Sequence, residues 1–208
     1  MNYEIILATN NKHKLKEVRE ILTPEGIIVY GLNDLGLKPE EVEENGKTYF
    51  DNAFIKAQAV AKLTSMPVIA DDSGIEISAL NNEPGIHSAR FADSFGGYSQ
   101  TFDYILEKLK NTNDRSARFV CDIVLLNVDD KPLLFEGIVP GRIADKPYGE
   151  TGFGYDPIFV CDELGITYAE MGEKEKNKCS HRGKALIKLI TYLKVRGLIK
   201  KPIHHHHD

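Results

Sequence analysis

Val68-Ile69-Ala70-Asp71-Asp72-Ser73-Gly74 is a short apolar run that stops at two acids, a hydroxyl and a glycine. Its first half reads as a buried strand. A carboxylate taken out of water costs several kcal/mol unless a cation or hydrogen-bond donors meet it, so the rest of the chain has to supply partners. Ligands of α/β sheets gather at the carboxyl ends of parallel strands. Acids placed there point to a divalent metal and a phosphate-bearing ligand. Taken alone, the same acids also fit a solvated loop in which Asp71 caps local backbone.

The segments on either side favour an α/β fold. Glu4 to Thr9 reads as a buried first strand broken by Asn10-Asn11, and Leu15, Val18, Ile21 and Leu22 then fall at helical spacing over about Lys12 to Leu22. The short turn between them would aim backbone N–H groups and the helix dipole at an anion, with Lys12 and Lys14 close by. Ile27 to Tyr30 is a second strand. The acidic segment Glu40-Glu41-Val42-Glu43-Glu44 reads as a solvated loop ahead of a helix over Tyr49 to about Ser65, which carries Lys56 among small residues. After the acids, Gly74 to Leu80 alternates as a further strand. Pro84 to Phe91 is a Gly/Pro-marked loop, and Phe102 to Leu109 has helical spacing. Phe119 to Leu126 and Leu133 to Val139 read as an antiparallel hairpin. Crossovers together with a hairpin imply a mixed sheet.

Composition bounds the function. With 208 residues, 42% hydrophobic and 27% charged, the chain reads as a single soluble domain over residues 1–203 with a substantial core. His204 to His207 and Asp208 read as a tag remnant. No apolar run approaches the ~20 residues of a membrane span, and no signal peptide opens the chain, so a cytoplasmic location is expected. A net charge of −5 argues against a nucleic-acid polymer as partner, though local lysines leave room for a small anion. Cys121, Cys161 and Cys179 are odd in number and lack Cys-x-x-Cys spacing, which suits reduced thiols.

The last third adds a second candidate region. Glu150 to Phe159 is a glycine-rich loop with two aromatics and an acid. Its glycines permit close backbone approach, and an aromatic ring offers a stacking face to a base. Aromatics plugging the core beneath a turn are the alternative. Lys174, Lys176 and Lys178 then lead to Ser180-His181-Arg182-Gly183 at the start of a helix faced by Leu186, Leu189, Ile190 and Leu193. This is an anion-binding constellation, or, more simply, a helix capped by Ser180.

Six segments in this order resemble the inosine triphosphate pyrophosphatase family of dITP/XTP pyrophosphatases: Thr9 to Lys14, Asn52 to Ala57, Ala70 to Gly74, Pro84 to Arg90, Phe153 to Phe159 and Ser180 to Gly183. The resemblance runs over nearly the whole chain. It implies an elongated, two-lobed α/β fold around a central mixed sheet flanked by helices. It also implies magnesium-dependent hydrolysis of ITP, dITP and XTP to the monophosphate and pyrophosphate, and a homodimer. On that basis Asp72 is expected as general base and metal-associated acid, with Glu43 as a second metal carboxylate, Glu44 as its alternative, and Asp71 in support. Thr9, Asn10, Asn11, Lys12, His13, Lys14, Lys56 and Ser73 are expected at the phosphates. Phe153 is expected to stack on the purine, with Gly154, Tyr155, Asp156, Lys176, His181 and Arg182 reading its edge.

Overall fold

Three long strands carry the molecule. In the computed structural model, which describes residues 2–200, they are β3 (Val68–Ile77), β5 (Ser116–Leu126) and β6 (Leu133–Ile143). At about 3.3 Å per residue such strands span more than 30 Å, long enough to pass through two separate cores. β1 (Tyr3–Leu7), β2 (Ile27–Tyr30), β4 (Glu83–Pro84) and β7 (Phe159–Cys161) complete one seven-stranded sheet of order β2-β1-β3-β5-β6-β7, with β4 paired to β3. β2, β1 and β3 are parallel and the remaining pairs antiparallel, so the sheet is mixed as expected. The helices are α1 (Lys12–Leu22), α2 (Tyr49–Ala61), α3 (Ser88–Ser94), α4 (Tyr98–Lys108), α5 (Glu173–Cys179) and α6 (His181–Val195).

Apolar alternation distributes the cores. On one sheet face, α1 and α6 bury Val18, Leu22, Leu186 and Leu189 against Ile5, Ile69 and Ile123. Farther along the same face, Ile75, Ile77, Phe119 and Val139 pack with Phe102 and Ile105 of α4. The opposite face holds Ile6, Val68, Ala70 and Val124 under Ala53, Ala57 and Val60 of α2. Two lobes thus share the long strands. Among the described residues no helix is long and apolar enough to cross a membrane. The chain's end from residue 201, including the expected tag remnant, lies outside the described residues.

The structure corrects the reading of the acids. Asp71 and Asp72 do not end a strand; they lie inside β3, whose pairing with β5 is continuous from Val68 to Ile77. The strand expected to begin afresh at Gly74 is the second half of the same one, and Ser78–Leu80 forms a 3-10 turn. On the other edge of β3, however, β1 pairs only as far as Ile69, and β4 joins only at Glu76 and Ile77. Between them the edge is uncovered by a strand. The Asp71 carbonyl accepts from Lys56 Nζ, and the Ile75 N–H donates to Ser88 Oγ at 3.0 Å. The logic of parallel-strand ends therefore holds for β1, while β3 runs on past it. Two further elements, α3 and α5, stand where the sequence reads as a loop and a lysine run. Both are only seven residues long, too short for a clear period.

Gly74 is required by a close approach: a Cβ there would stand 2.0 Å from the Gly85 carbonyl oxygen and 2.9 Å from the Tyr49 ring. Backbone cannot step aside as a flexible side chain can. Gly74→Ala is expected to cost about 1–3 kcal/mol and lower the melting temperature by several degrees in a thermal scan. An unchanged melt would mean that the 85–88 turn relaxes freely.

Candidate active site

The uncovered edge of β3 opens into a cavity of about 550 Å³, within the size range of nucleotide-sized ligands. Thr9, Asn10, Asn11 and Lys14 line it from the β1–α1 turn, Glu44, Asn52 and Lys56 from the acidic loop and α2, and Asp72 to Gly74 from β3. Phe153 to Asp156, Lys176, His181 and Arg182 line it from the last third. The two candidate regions are therefore one site.

Period-two alternation splits the adjacent acids across the sheet. Asp71 points to the α1/α6 face. Its Oδ2 accepts from Arg182 Nε at 3.1 Å and Nη2 at 3.0 Å, and its Oδ1 lies 3.2 Å from Lys14 Nζ. Burial works against its charge, but Lys14, Arg182 and Lys56 outweigh it and hold the carboxyl well below the ordinary range. Asp72 points to the α2 face, where its one hydrogen bond is a long 3.4 Å contact from Asn52 Nδ2. There burial prevails over Lys56 and Lys14 and pushes the carboxyl up to about 6. Lys56 sits between the regions, donating to the Asp71 carbonyl and lying 3.2 Å from Glu44 Oε1.

A buried ion network fixes the other end. Arg182, 1% exposed, also donates to Glu17 Oε1 at 2.8 Å and to Ser73 Oγ at 3.2 Å. Lys176 donates to Glu17 Oε2 at 3.0 Å and Asp156 Oδ2 at 2.7 Å, and Asp156 also accepts from the Phe153 N–H at 3.1 Å. An arginine has five N–H groups and an ammonium three. Counting these bonds, Arg182 and Lys176 each retain one unused donor. His181 stacks on Phe119 with centroids 4.3 Å apart and planes 7° from parallel, and its buried Nδ1 has no partner. Burial first, then the Arg182 and Lys176 charges, hold its imidazole well below its ordinary pKa, so it is neutral.

Most of the expected site residues meet here, with differences in detail. Lys12, His13 and Glu43 are not among the lining residues, whereas Glu44 is. Asn11 caps α1: its Oδ1 accepts from the His13 and Lys14 N–H groups at 3.0 and 3.2 Å, so these first-turn donors are not free for an anion. The Tyr155 side chain turns into the core and its hydroxyl donates to the Ser88 carbonyl at 2.6 Å. Two residues were missed. Glu17 falls three positions after Lys14 on the same helical face, which was the available signal. Arg90 lines the cavity and donates to the Glu44 carbonyl at 2.6 Å, tying the acidic loop to α3.

The model of the Ham1 family matches residues 5–192. The chain belongs to the Ham1 family. It is 46% identical to a dITP/XTP pyrophosphatase of Dictyoglomus thermophilum over 192 residues, which is 91% of this chain and 93% of that protein. Another dITP/XTP pyrophosphatase, from Staphylococcus aureus, is 44% identical over 91% of this chain and 96% of its own length. Among solved structures, the Ham1 protein of Staphylococcus aureus superposes with a TM-score of 0.81 at 42% identity, covering 93% of this chain and 99% of that one. A HAM1 protein of Coxiella burnetii gives 0.80 at 41% identity with the same coverage.

Two outcomes follow from the charges around this cavity. Arg182→Ala leaves Asp71 and Glu17 as buried acids without their shared cation, and should cost about 3–5 kcal/mol in urea unfolding. A loss below about 1 kcal/mol would show that the network adds no stability. For Asp72 the sign is opposite. Folding raises its pKa from about 3.9 to about 6, so its contribution favours the protonated form and is lost as pH rises through that window. At pH 8 without metal, Asp72→Asn should therefore be more stable than the natural chain, by on the order of 1–3 kcal/mol, with the gap closing near pH 4. A variant that melts lower at pH 8 would show instead that the lysines stabilise the Asp72 carboxylate.

Proposed function

We propose that this chain hydrolyses deaminated purine nucleoside triphosphates, ITP, dITP and XTP, to the monophosphate and pyrophosphate. The observation that carries the reading is one cavity with a cation-rich end at Lys14 and Lys56 and a donor-lined, aromatic end at Phe153, Lys176, His181 and Arg182. The names of the relatives agree with it.

Lys14 and Lys56 already face Asp71 and Glu44, so they do not offset a triphosphate alone. A divalent ion would. The donor set fits magnesium, which takes carboxylate oxygens and binds through one or two carboxylates plus substrate phosphates. Asp72 would hold the ion with Glu44, or with Glu43 if the acidic loop shifts; when bound, it would neutralise charge developing on the phosphates. The protein's own residues do the rest. Asp72, the cavity carboxylate with a single long side-chain hydrogen bond, is placed to take a proton from the attacking water. Lys14, Lys56 and Thr9 hold the phosphates, while Asp71 keeps Lys14 and Arg182 in place.

At the base end, Phe153 stacks on the purine. The spare donors of Lys176 and Arg182 meet a 6-oxo acceptor, with His181 beside them. Adenine would set its 6-amino donor against them, an unpaired-donor cost of about 1–3 kcal/mol for each mismatch. The net charge of −5 argues against a nucleic-acid polymer as partner, and the small-molecule role suits a cytoplasmic protein. Leu134 and Ile138, 45% and 37% exposed on one face of β6, suit a homodimer, to be tested by size-exclusion chromatography with light scattering.

Pyrophosphate release measures the reading directly: fast turnover of ITP, dITP and XTP with magnesium, little of ATP, and at least a thousandfold loss in Asp72→Asn are expected. Binding without release would mark a nucleotide sensor. Of Glu44→Gln and Glu43→Gln, the first should raise the magnesium needed for half-maximal rate more; the reverse would return the metal to Glu43.

A further inference from the structure

His13 belongs by sequence to the turn expected at the phosphates, yet its imidazole lies against a residue of the base end. It stacks on Phe153 with centroids 5.2 Å apart and planes inclined by 14°. Phe153 borders the main cavity, and with His13 it also borders a second crevice of about 230 Å³ that Glu17 and Lys176 share. The phenyl ring therefore stands between the space for a nucleotide and the space beside α1.

The loop that carries this ring has little intrinsic preference for one path. Gly152 and Gly154 flank Phe153 at φ +75° and +64°, and the Phe153 N–H is held by Asp156 alone. The His13 main chain, in contrast, is fixed, because its N–H donates to the capping Asn11 at the start of an eleven-residue helix. Lys176 Nζ and the Arg182 guanidinium also lie over the phenyl ring, 4.7 and 5.7 Å from its centroid, so the stacked imidazole is one of three groups that set the ring's angle. A platform already in position costs a ligand less ordering than one that must be placed on binding. We propose that His13 is a positioning residue for Phe153, holding the phenyl ring at the angle at which a purine stacks. This rests on the reading of Phe153 as the base platform.

Inhibition of ITP turnover by inosine monophosphate and, separately, by pyrophosphate tests the assignment in the natural chain, His13→Ala and His13→Phe. His13→Ala is expected to weaken inosine monophosphate about two- to tenfold and leave pyrophosphate inhibition unchanged, and His13→Phe should recover most of the loss. Equal weakening of pyrophosphate would place His13 in the phosphate grip and overturn the proposal. Unchanged nucleotide inhibition, or no recovery with phenylalanine, would overturn it too. A second measurement needs no turnover: the chain has no tryptophan, so Phe153→Trp supplies a single reporter. Adding His13→Ala should shift the indole emission and lower its anisotropy; identical spectra and anisotropy would exclude the stack. If the natural chain fails to hydrolyse ITP, the proposed function falls, and this comparison still decides whether His13 holds the platform.

Discussion

The bond that most of the site depends on is the buried pair between Asp71 and Arg182. Both side chains are almost wholly inaccessible, and ions so placed cost several kcal/mol each to strip of water. The cost is offset only if most of the remaining lone pairs and N–H groups find partners. That requirement recruits Lys14 and Glu17 from α1, and through Glu17 it reaches Lys176 of α5 and Asp156 of the glycine loop. Segments more than a hundred residues apart in the chain are thereby locked into one arrangement. In a low-dielectric network of this kind, removing one member leaves its partners short of a counter-charge. The unused donors of Arg182 and Lys176 are consequently presented at fixed positions, with little left to rearrange when a ligand arrives.

A sheet edge left open is the complementary constraint. β1 stops beside Ile69 because Asn10-Asn11 turns the chain into α1, and β4 rejoins the edge only at Glu76. The backbone groups between would be costly to bury unpaired. Two of them are met by side chains, the Asp71 carbonyl by a lysine and the Ile75 N–H by a serine, so polar chemistry enters the middle of an apolar sheet at the cavity floor. Gly74 keeps the floor low enough for the Gly85 turn to pass over it. Fold and site meet in this gap.

Much of this was legible from residues alone. The periodicity of Leu15, Val18 and Leu22 marks α1 to the residue, and the hairpin of β5 and β6 follows from two apolar runs around Asp129 to Pro132. The cast of the site was also legible, because lysines and acids on apolar elements need reasons to be there. Connectivity was not. Whether Asp71-Asp72 ends a strand or interrupts one depends on where the neighbouring strand stops, which no local pattern encodes. Glu17 looked like the polar side of an amphipathic helix, and only the packing of α6 against α1 turns that side inward. Glu43 and Glu44 differ by one step in an irregular loop, where periodicity has nothing to say. The loop's course is held instead by Arg90 on the Glu44 carbonyl.

The adjacent acids show how one strand yields two chemistries. Alternation places successive side chains on opposite faces, so neighbours in sequence share neither dielectric nor partners. Asp71 meets a guanidinium and an ammonium and is held as a permanent anion, which suits a residue that orders cations. Asp72 meets Asn52, a longer reach to Lys56, and the cavity, and burial lifts it toward neutrality. Environments that drive two carboxyls apart in this way separate a structural acid from one able to exchange a proton. A helix would have placed adjacent acids about 100° apart, and a loop would have left both solvated. A strand open on one edge, with a cationic helix pair over one face and a small-residue helix over the other, is what makes Asp-Asp an asymmetric pair. Exchanging the two faces' partners, with the sequence Asp-Asp unchanged, would exchange the roles.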